Sequence, residues 1–158
     1  MYERILVPLD GSKAGEAALP YIAELLTKLA SEVKIEIILF QVVSSLTRYI
    51  IAGESSIQVP YSEKEVEYIK IMSKQYLENI GESLKSKRTT IKTKVATGNA
   101  AQEIIRAADE TKADMVAMST HGRSGLARMT FGSITTKVVQ SGNVPTLVVK
   151  APKDSENT

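Results

Sequence analysis

The chain contains no cysteine, no tryptophan and a single histidine, His121. Without cysteine there is no disulfide, no thiolate nucleophile and no cysteine-based metal site. One histidine excludes any centre that needs two. Long apolar runs are also missing: no stretch approaches the roughly 18 residues of a membrane-spanning helix, so no membrane partner is expected. Nor is there a surplus of one charge. Twenty Lys and Arg stand against 18 Asp and Glu, a formal charge of +2. That balance argues against a nucleic-acid or membrane surface. Met1-Tyr2-Glu3-Arg4-Ile5 runs straight into a strand-like segment with no basic and apolar leader, so a cytoplasmic protein is expected.

The 158 residues, 43% hydrophobic and 24% charged, suffice for one domain with a sizeable core. We assign residues 1–150 to that domain and residues 151–158 to a polar tail. Ile5 to Leu9 is a short apolar run that ends at Asp10-Gly11-Ser12, which reads as a buried strand and a turn. Ser12 is placed to cap the following helix, whose apolar positions run from Ala14 to Leu29. Pro20 inside that helix is expected to kink it or delay its regular part. Lys34 to Val43 reads as a second strand, covered on both faces. Ser44 to Pro60, with Gly53, Pro60 and several serines, reads as a loop with room for one helical turn. Ser62 and Glu65 form a capping box, and the helix behind it carries Val66, Ile69, Met72, Tyr76, Ile80 and Leu84.

Thr90 to Ala96 alternates and reads as an edge strand with its lysines outward. Thr97-Gly98-Asn99 is a turn, and Asn99 caps a helix bearing Ile104, Ile105 and Ala108. Asp114 to Met118 is a short buried strand, and Ser119 to Phe131 a polar, glycine-containing loop. Gly132-Ser133 opens a helix that Gly142-Asn143 ends, and Val144 to Val149 is the last strand. Strands and helices alternate throughout. The fold class is therefore α/β, with one open parallel sheet covered by helices on both faces. In such sheets ligands bind beyond the carboxyl ends of the strands, where the strand order reverses.

Two common phosphate motifs are absent: no G-x-x-x-x-G-K-[ST] occurs, and no G-x-G-x-x-G follows the first strand. What is present is Ser119-Thr120-His121-Gly122, nine residues, then Gly132-Ser133 at a helix start. This arrangement suits an anion. Gly132 permits close backbone approach, the first-turn N–H groups and the helix dipole favour phosphate oxygens, and Ser133 adds a hydroxyl. His121, Arg123 and Arg128 put positive charge within the same loop, or else are ordinary solvated loop residues.

Met118 to Leu126 with Gly132-Ser133 resembles the nucleotide loop of universal stress proteins. The opening Ile5-Leu6-Val7-Pro8-Leu9-Asp10-Gly11-Ser12 and the closing Val144-Pro145-Thr146-Leu147-Val148-Val149 resemble the same family, over about residues 2 to 150. The ATP-binding branch has the pattern G-x-x-G, nine residues, G-[ST]. The chain matches it at Gly122, Gly132 and Ser133 and departs from it at Ser119, where the family has glycine.

The resemblance implies a Rossmann-like three-layer α/β/α domain, similar to the adenine nucleotide alpha hydrolases, with five strands in the order 3-2-1-4-5. It also implies a homodimer formed through the last strand, Val144 to Val149. Pro8, Leu9, Asp10 and Val42 would hold the adenosine. Met118, Ser119, His121, Gly122, Arg123, Gly132, Ser133 and Ile134 would hold ribose and phosphates. If Ser119 has an ordinary negative φ, its hydroxyl is free to reach a ribose or phosphate oxygen. The expected ligand is ATP or another adenine nucleotide, with Mg²⁺ accompanying the phosphates. The leading expectation is a nucleotide-dependent sensor or adaptor in the stress response. The alternatives are a slow ATPase or phosphotransferase, and a dimeric adaptor that binds no nucleotide.

Overall fold

The computed structural model describes residues 3–120 and 132–152. Its elements are β1 (Arg4–Pro8), a 3₁₀ turn (Gly15–Ala18), α1 (Leu19–Lys28), β2 (Ile35–Val43), β3 (Thr47–Ala52), β4 (Ser55–Pro60), α2 (Glu63–Leu84), β5 (Thr89–Thr97), α3 (Ala100–Glu110), β6 (Met115–Thr120), α4 (Ser133–Ser141) and β7 (Thr146–Lys150). Five strands form one parallel sheet in the order β5-β2-β1-β6-β7. Numbered within the sheet, that order is 3-2-1-4-5, as the family resemblance implied. The fold is a three-layer α/β/α sandwich.

Strand periodicity sorts the core into two halves. Along β1 and β2, Ile5, Val7, Ile37 and Leu39 point to one face and pack with Ile22 of α1 and Leu77 of α2. Leu6, Ile38 and Phe40 point to the other, where Ile104 and Ala107 of α3, Val116 and Met118 of β6 and Val138 of α4 meet them. Most of these side chains are wholly buried, and each of the larger ones contributes about 1.5–3 kcal/mol through burial. Both faces of the central strands are covered, which explains their continuous apolar runs.

Local signals set the helix boundaries. Pro20 delays the regular helix: the chain first makes the 3₁₀ turn, and α1 begins at Leu19 with the proline in its first turn, where no N–H is needed. Ser62 and Glu65 form the capping box of α2, and Asn99 accepts a hydrogen bond from the Gln102 N–H at the start of α3. β5 is the edge of the sheet. Its Lys92 and Lys94 point outward to Glu36 and Glu110, each at 2.7 Å.

Residues 44–60 differ from the sequence reading. Instead of a loop they form an antiparallel hairpin, β3 and β4, with Ile50 opposite Ile57 and Tyr49 opposite Gln58. Gly53 turns the chain between the strands at φ +67°, a conformation that side chains disfavour. The hairpin is a sheet of its own, separate from the five-stranded one.

Candidate functional site

The strand order reverses between β1 and β6, and a cavity of about 490 Å³ opens there beyond their carboxyl ends. Pro8, Leu9 and Asp10 reach it from β1, Val42 and Ser44 from β2, and Met118 and Ser119 from β6. Gly132, Ser133 and Ile134 reach it from the start of α4. Nine of the twelve residues singled out in the sequence are thus gathered around one cavity. The other three, His121, Gly122 and Arg123, lie outside the described residues, as does Arg128.

Three hydrogen bonds build the wall around Asp10. Its Oδ1 accepts from the Ser12 backbone N–H at 2.9 Å and from the Ser12 hydroxyl at 2.6 Å. The Ser12 oxygen in turn accepts from the Gly15 N–H at 3.0 Å. The carboxylate is thereby locked to its own turn, as short polar side chains do when they hold a bend. Gly15 is a lining residue that sequence reasoning missed. A Cβ placed there would lie 2.3 Å from Asp10 Oδ1, so only glycine lets the turn close onto the carboxylate.

Ser119 sits in β6 with an ordinary backbone; among the described residues the only non-glycine at positive φ is Lys112. Its hydroxyl, however, is not turned to a ligand. It donates to the Gly15 carbonyl at 2.9 Å and accepts from the Ala18 N–H at 2.9 Å. The expectation that it reaches a ribose or phosphate oxygen is corrected on this point: its one proton is already committed to the 3₁₀ turn.

The opposite wall is the N-terminus of α4. The Thr120 hydroxyl accepts from the Gly132 N–H at 3.1 Å and ties the helix start to the end of β6. No side chain among the described residues caps α4. The N–H groups of Ser133, Ile134 and Thr135 therefore have no intrahelical partner and border the cavity. A Cβ on Gly132 would meet nothing closer than the Thr120 hydroxyl oxygen at 3.9 Å, so the space beside it is open.

Phe40, Ala100, Ile104 and Thr135 complete the lining. Ile104 reads as an apolar helix position and Phe40 as part of the second strand, and nothing in the sequence separates a core residue from one at the rim of a cavity. Asp10 is the only charged side chain among the described lining residues. Outside the rim, the Tyr76 hydroxyl of α2 donates to Glu16 Oε1 in the 3₁₀ turn at 3.1 Å. Burial, with the negative charges of Glu16 and Asp10 close by, holds the Tyr76 phenol well above its usual pKa. No three metal-ligating side chains gather anywhere among the described residues.

The universal stress protein family model matches residues 1–150. The chain belongs to the universal stress protein family. A universal stress protein of Bacillus subtilis, YxiE, is 31% identical over 153 residues, covering 95% of this chain and 100% of that protein. Another, MJ0577 of Methanocaldococcus jannaschii, is 29% identical over 159 residues, 95% of this chain and 96% of that protein. The solved structure of MJ0577 superposes with a TM-score of 0.71 over 97% of this chain and 99% of that one. A universal stress protein solved in complex with cAMP has the same fold, with a TM-score of 0.62 over 96% of this chain and 98% of that one at 19% identity.

Proposed function

We propose that this universal stress protein binds an adenine nucleotide, ATP foremost, in the cavity between β1, β6 and α4. The observation that carries this reading is the pairing of two unlike walls at the topological switch point. One is apolar and ends at a fixed carboxylate, and the other is an uncapped helix start. Pro8, Leu9, Val42 and Met118 offer a flat apolar seat for a base. Asp10 accepts hydrogen bonds from a ribose. The free N–H groups of Ser133, Ile134 and Thr135, with the helix dipole, face the phosphates. His121, Gly122 and Arg123 follow directly on β6 and would complete the phosphate side. The cavity volume of about 490 Å³ falls within the range of small-molecule sites. The cAMP complex of a family member supports the choice of an adenine nucleotide.

Mg²⁺ would enter with a triphosphate, since its charge needs screening and Asp10 is the one described carboxylate at the rim. In this reading the protein is cytoplasmic and works as a homodimer paired along β7. No described helix is long and apolar enough to cross a membrane. Occupancy changes what the dimer contacts, so the protein acts as a nucleotide-dependent sensor or adaptor. A slow ATPase is the second reading, because Asp10 stands at the rim where it would orient an attacking water.

Mass spectrometry of the acid-released ligand from freshly purified protein, with calorimetric titration of ATP and GTP, tests the proposal. An adenine nucleotide bound at micromolar to submillimolar strength and preferred over GTP is the expected result. No retained ligand and no heat with either nucleotide would leave the adaptor without nucleotide as the function.

A further inference from the structure

The region that the fold leaves uncovered is not the cavity but the arm that departs from it. From Ser44 to Met72, 29 residues, no described side chain is buried; burial resumes at Ser73. Of the twelve large hydrophobic side chains exposed among the described residues, eight belong to this segment. On the hairpin they include Tyr49 (72% exposed), Ile51 (82%) and Ile57 (53%). Strand alternation puts Tyr49 and Ile51 on one face, and Ile50 with its cross-strand partner Ile57 on the other, so both faces are apolar. The two strands pack chiefly on each other. A lone two-stranded hairpin is marginal in water.

Helix α2 carries a matching feature. Its inner face, with Leu77, Gly81 and Leu84, meets the sheet. Tyr68, Ile71 and Met72 stand at i, i+3 and i+4 on a different face and are 64%, 48% and 47% exposed. A helix with a second apolar stripe in open solvent is unusual for a protein that stays alone.

We infer that the hairpin and this stripe together form a docking surface for a second copy of the chain. The hairpin of each copy lies on Tyr68, Ile71 and Met72 of the other. Such an exchange is self-complementary, as a two-fold axis requires, and it gives each of the two uncovered patches a partner. The size fits as well. Covering one hairpin face, Tyr49 and Ile51, together with the three side chains of the stripe removes roughly 100 Å² apiece, about 500 Å² per copy and about 1,000 Å² in all, the size at which a specific interface begins. The charge also fits. The segment holds three cations, Arg48, Lys64 and Lys70, and four carboxylates, Glu54, Glu63, Glu65 and Glu67. Arg48 is already paired with Glu65 within the chain. Two near-neutral arms meet without repulsion, whereas a nucleic acid or an acidic membrane finds no basic surplus here. This contact lies apart from β7 and does not depend on nucleotide binding.

Multi-angle light scattering on the full chain at about 20 μM tests the inference. Ile51→Glu and Met72→Glu each add a charge at an exposed position, so neither disturbs the core. Each is expected to halve the mass of the native assembly, whatever β7 contributes to it, while ATP affinity stays within twofold. Circular dichroism melts that match native protein confirm that the variants are folded. A native protein of 17 kDa, or an assembly that both variants leave intact, overturns the inference. Halving by Ile51→Glu with no effect of Met72→Glu removes α2 as the seat and overturns the packing stated here. As a second readout, Gln58→Cys labelled with an environment-sensitive dye is expected to shift its emission on dilution. A constant spectrum counts against the contact.

Discussion

Ser119 donates its hydroxyl proton to the carbonyl of Gly15, 104 residues earlier in the chain, at 2.9 Å. The same oxygen accepts from Ala18. One side chain on β6 therefore fastens the 3₁₀ turn that carries the Asp10 wall. Where the family motif has glycine, this protein has a latch. Ser119→Gly would leave a donor and an acceptor without their partner, at a cost of about 1–3 kcal/mol. Urea unfolding should show that loss. Calorimetry should show ATP affinity changed by less than about fivefold, because the hydroxyl does not face the ligand. Binding that appears only in the glycine variant would mean that serine blocks the site.

Gly132→Val addresses the other wall. Gly132 has φ −55°, so valine needs no unusual backbone, and the space beside it is open. The fold should survive while the new side chain occupies the place of the phosphates. ATP affinity is expected to fall at least tenfold, or ~1.4 kcal/mol. Equal affinities by titration calorimetry would remove Gly132 from the site.

Turnover should be very slow. Asp10 is the only charged side chain on the described rim, and its Oδ1 already accepts two hydrogen bonds from Ser12. Phosphoryl transfer demands much more charge stabilisation than this. Phosphate release under saturating Mg-ATP is expected below ~0.1 s⁻¹, against a median enzyme near ~10 s⁻¹. Rapid release that Asp10→Asn abolishes would favour the ATPase reading.

The β7 edge gives a prediction about assembly. β7 pairs with β6 on one side and is the last strand of the sheet on the other, with Leu147 37% exposed. An open apolar edge invites a second strand. Leu147→Glu should halve the native mass in light scattering. An unchanged mass would show that this edge does not join two copies.

Acid should weaken the fold partly through Glu36. Its hydrogen bond from Lys92, aided by Arg4 at 2.9 Å, holds the carboxyl below the usual glutamate range. Because the folded-state pKa is the lower one, the contribution is complete above the unfolded value near 4.3. It is lost as pH falls through the folded one. Glu36→Gln is expected to cost about 0.5–1 kcal/mol at pH 7, a gap that narrows by pH 3. A gap of equal size at both pH values would assign the effect to packing.

The sheet was legible because its strands are buried on both faces. Ile37-Ile38-Leu39-Phe40 has no polar partner to disguise it, and the caps at Ser62 and Asn99 mark where helices start. The hairpin was not legible for a physical reason. Tyr49, Ile50 and Ile51 put apolar side chains on both faces of β3, which destroys the alternation that identifies a strand, and β4 shows that alternation only over the four residues Ser56 to Val59. The usable signal was Gly53-Glu54 between two β-rich runs. In the site, strand ends and the helix start could be read directly, since position in the topology determines what lies at a switch point. Gly15 could not, because its value lies in a contact with Asp10 that only the folded turn creates. The role of Ser119 could not be read either, since its two partners are about a hundred residues away.

The bond between Tyr76 and Glu16 makes α2 more than a cover for the sheet. Met72 and Tyr76 are one helical turn apart, about 5–6 Å along a rod that does not bend easily. At the first, the rod is bare to solvent. At the second, it grips the turn whose Gly15 closes on Asp10. The same rod thus carries a solvent-facing stripe and a fastening to the cleft wall, so unravelling α2 would release the turn beside Asp10 as well.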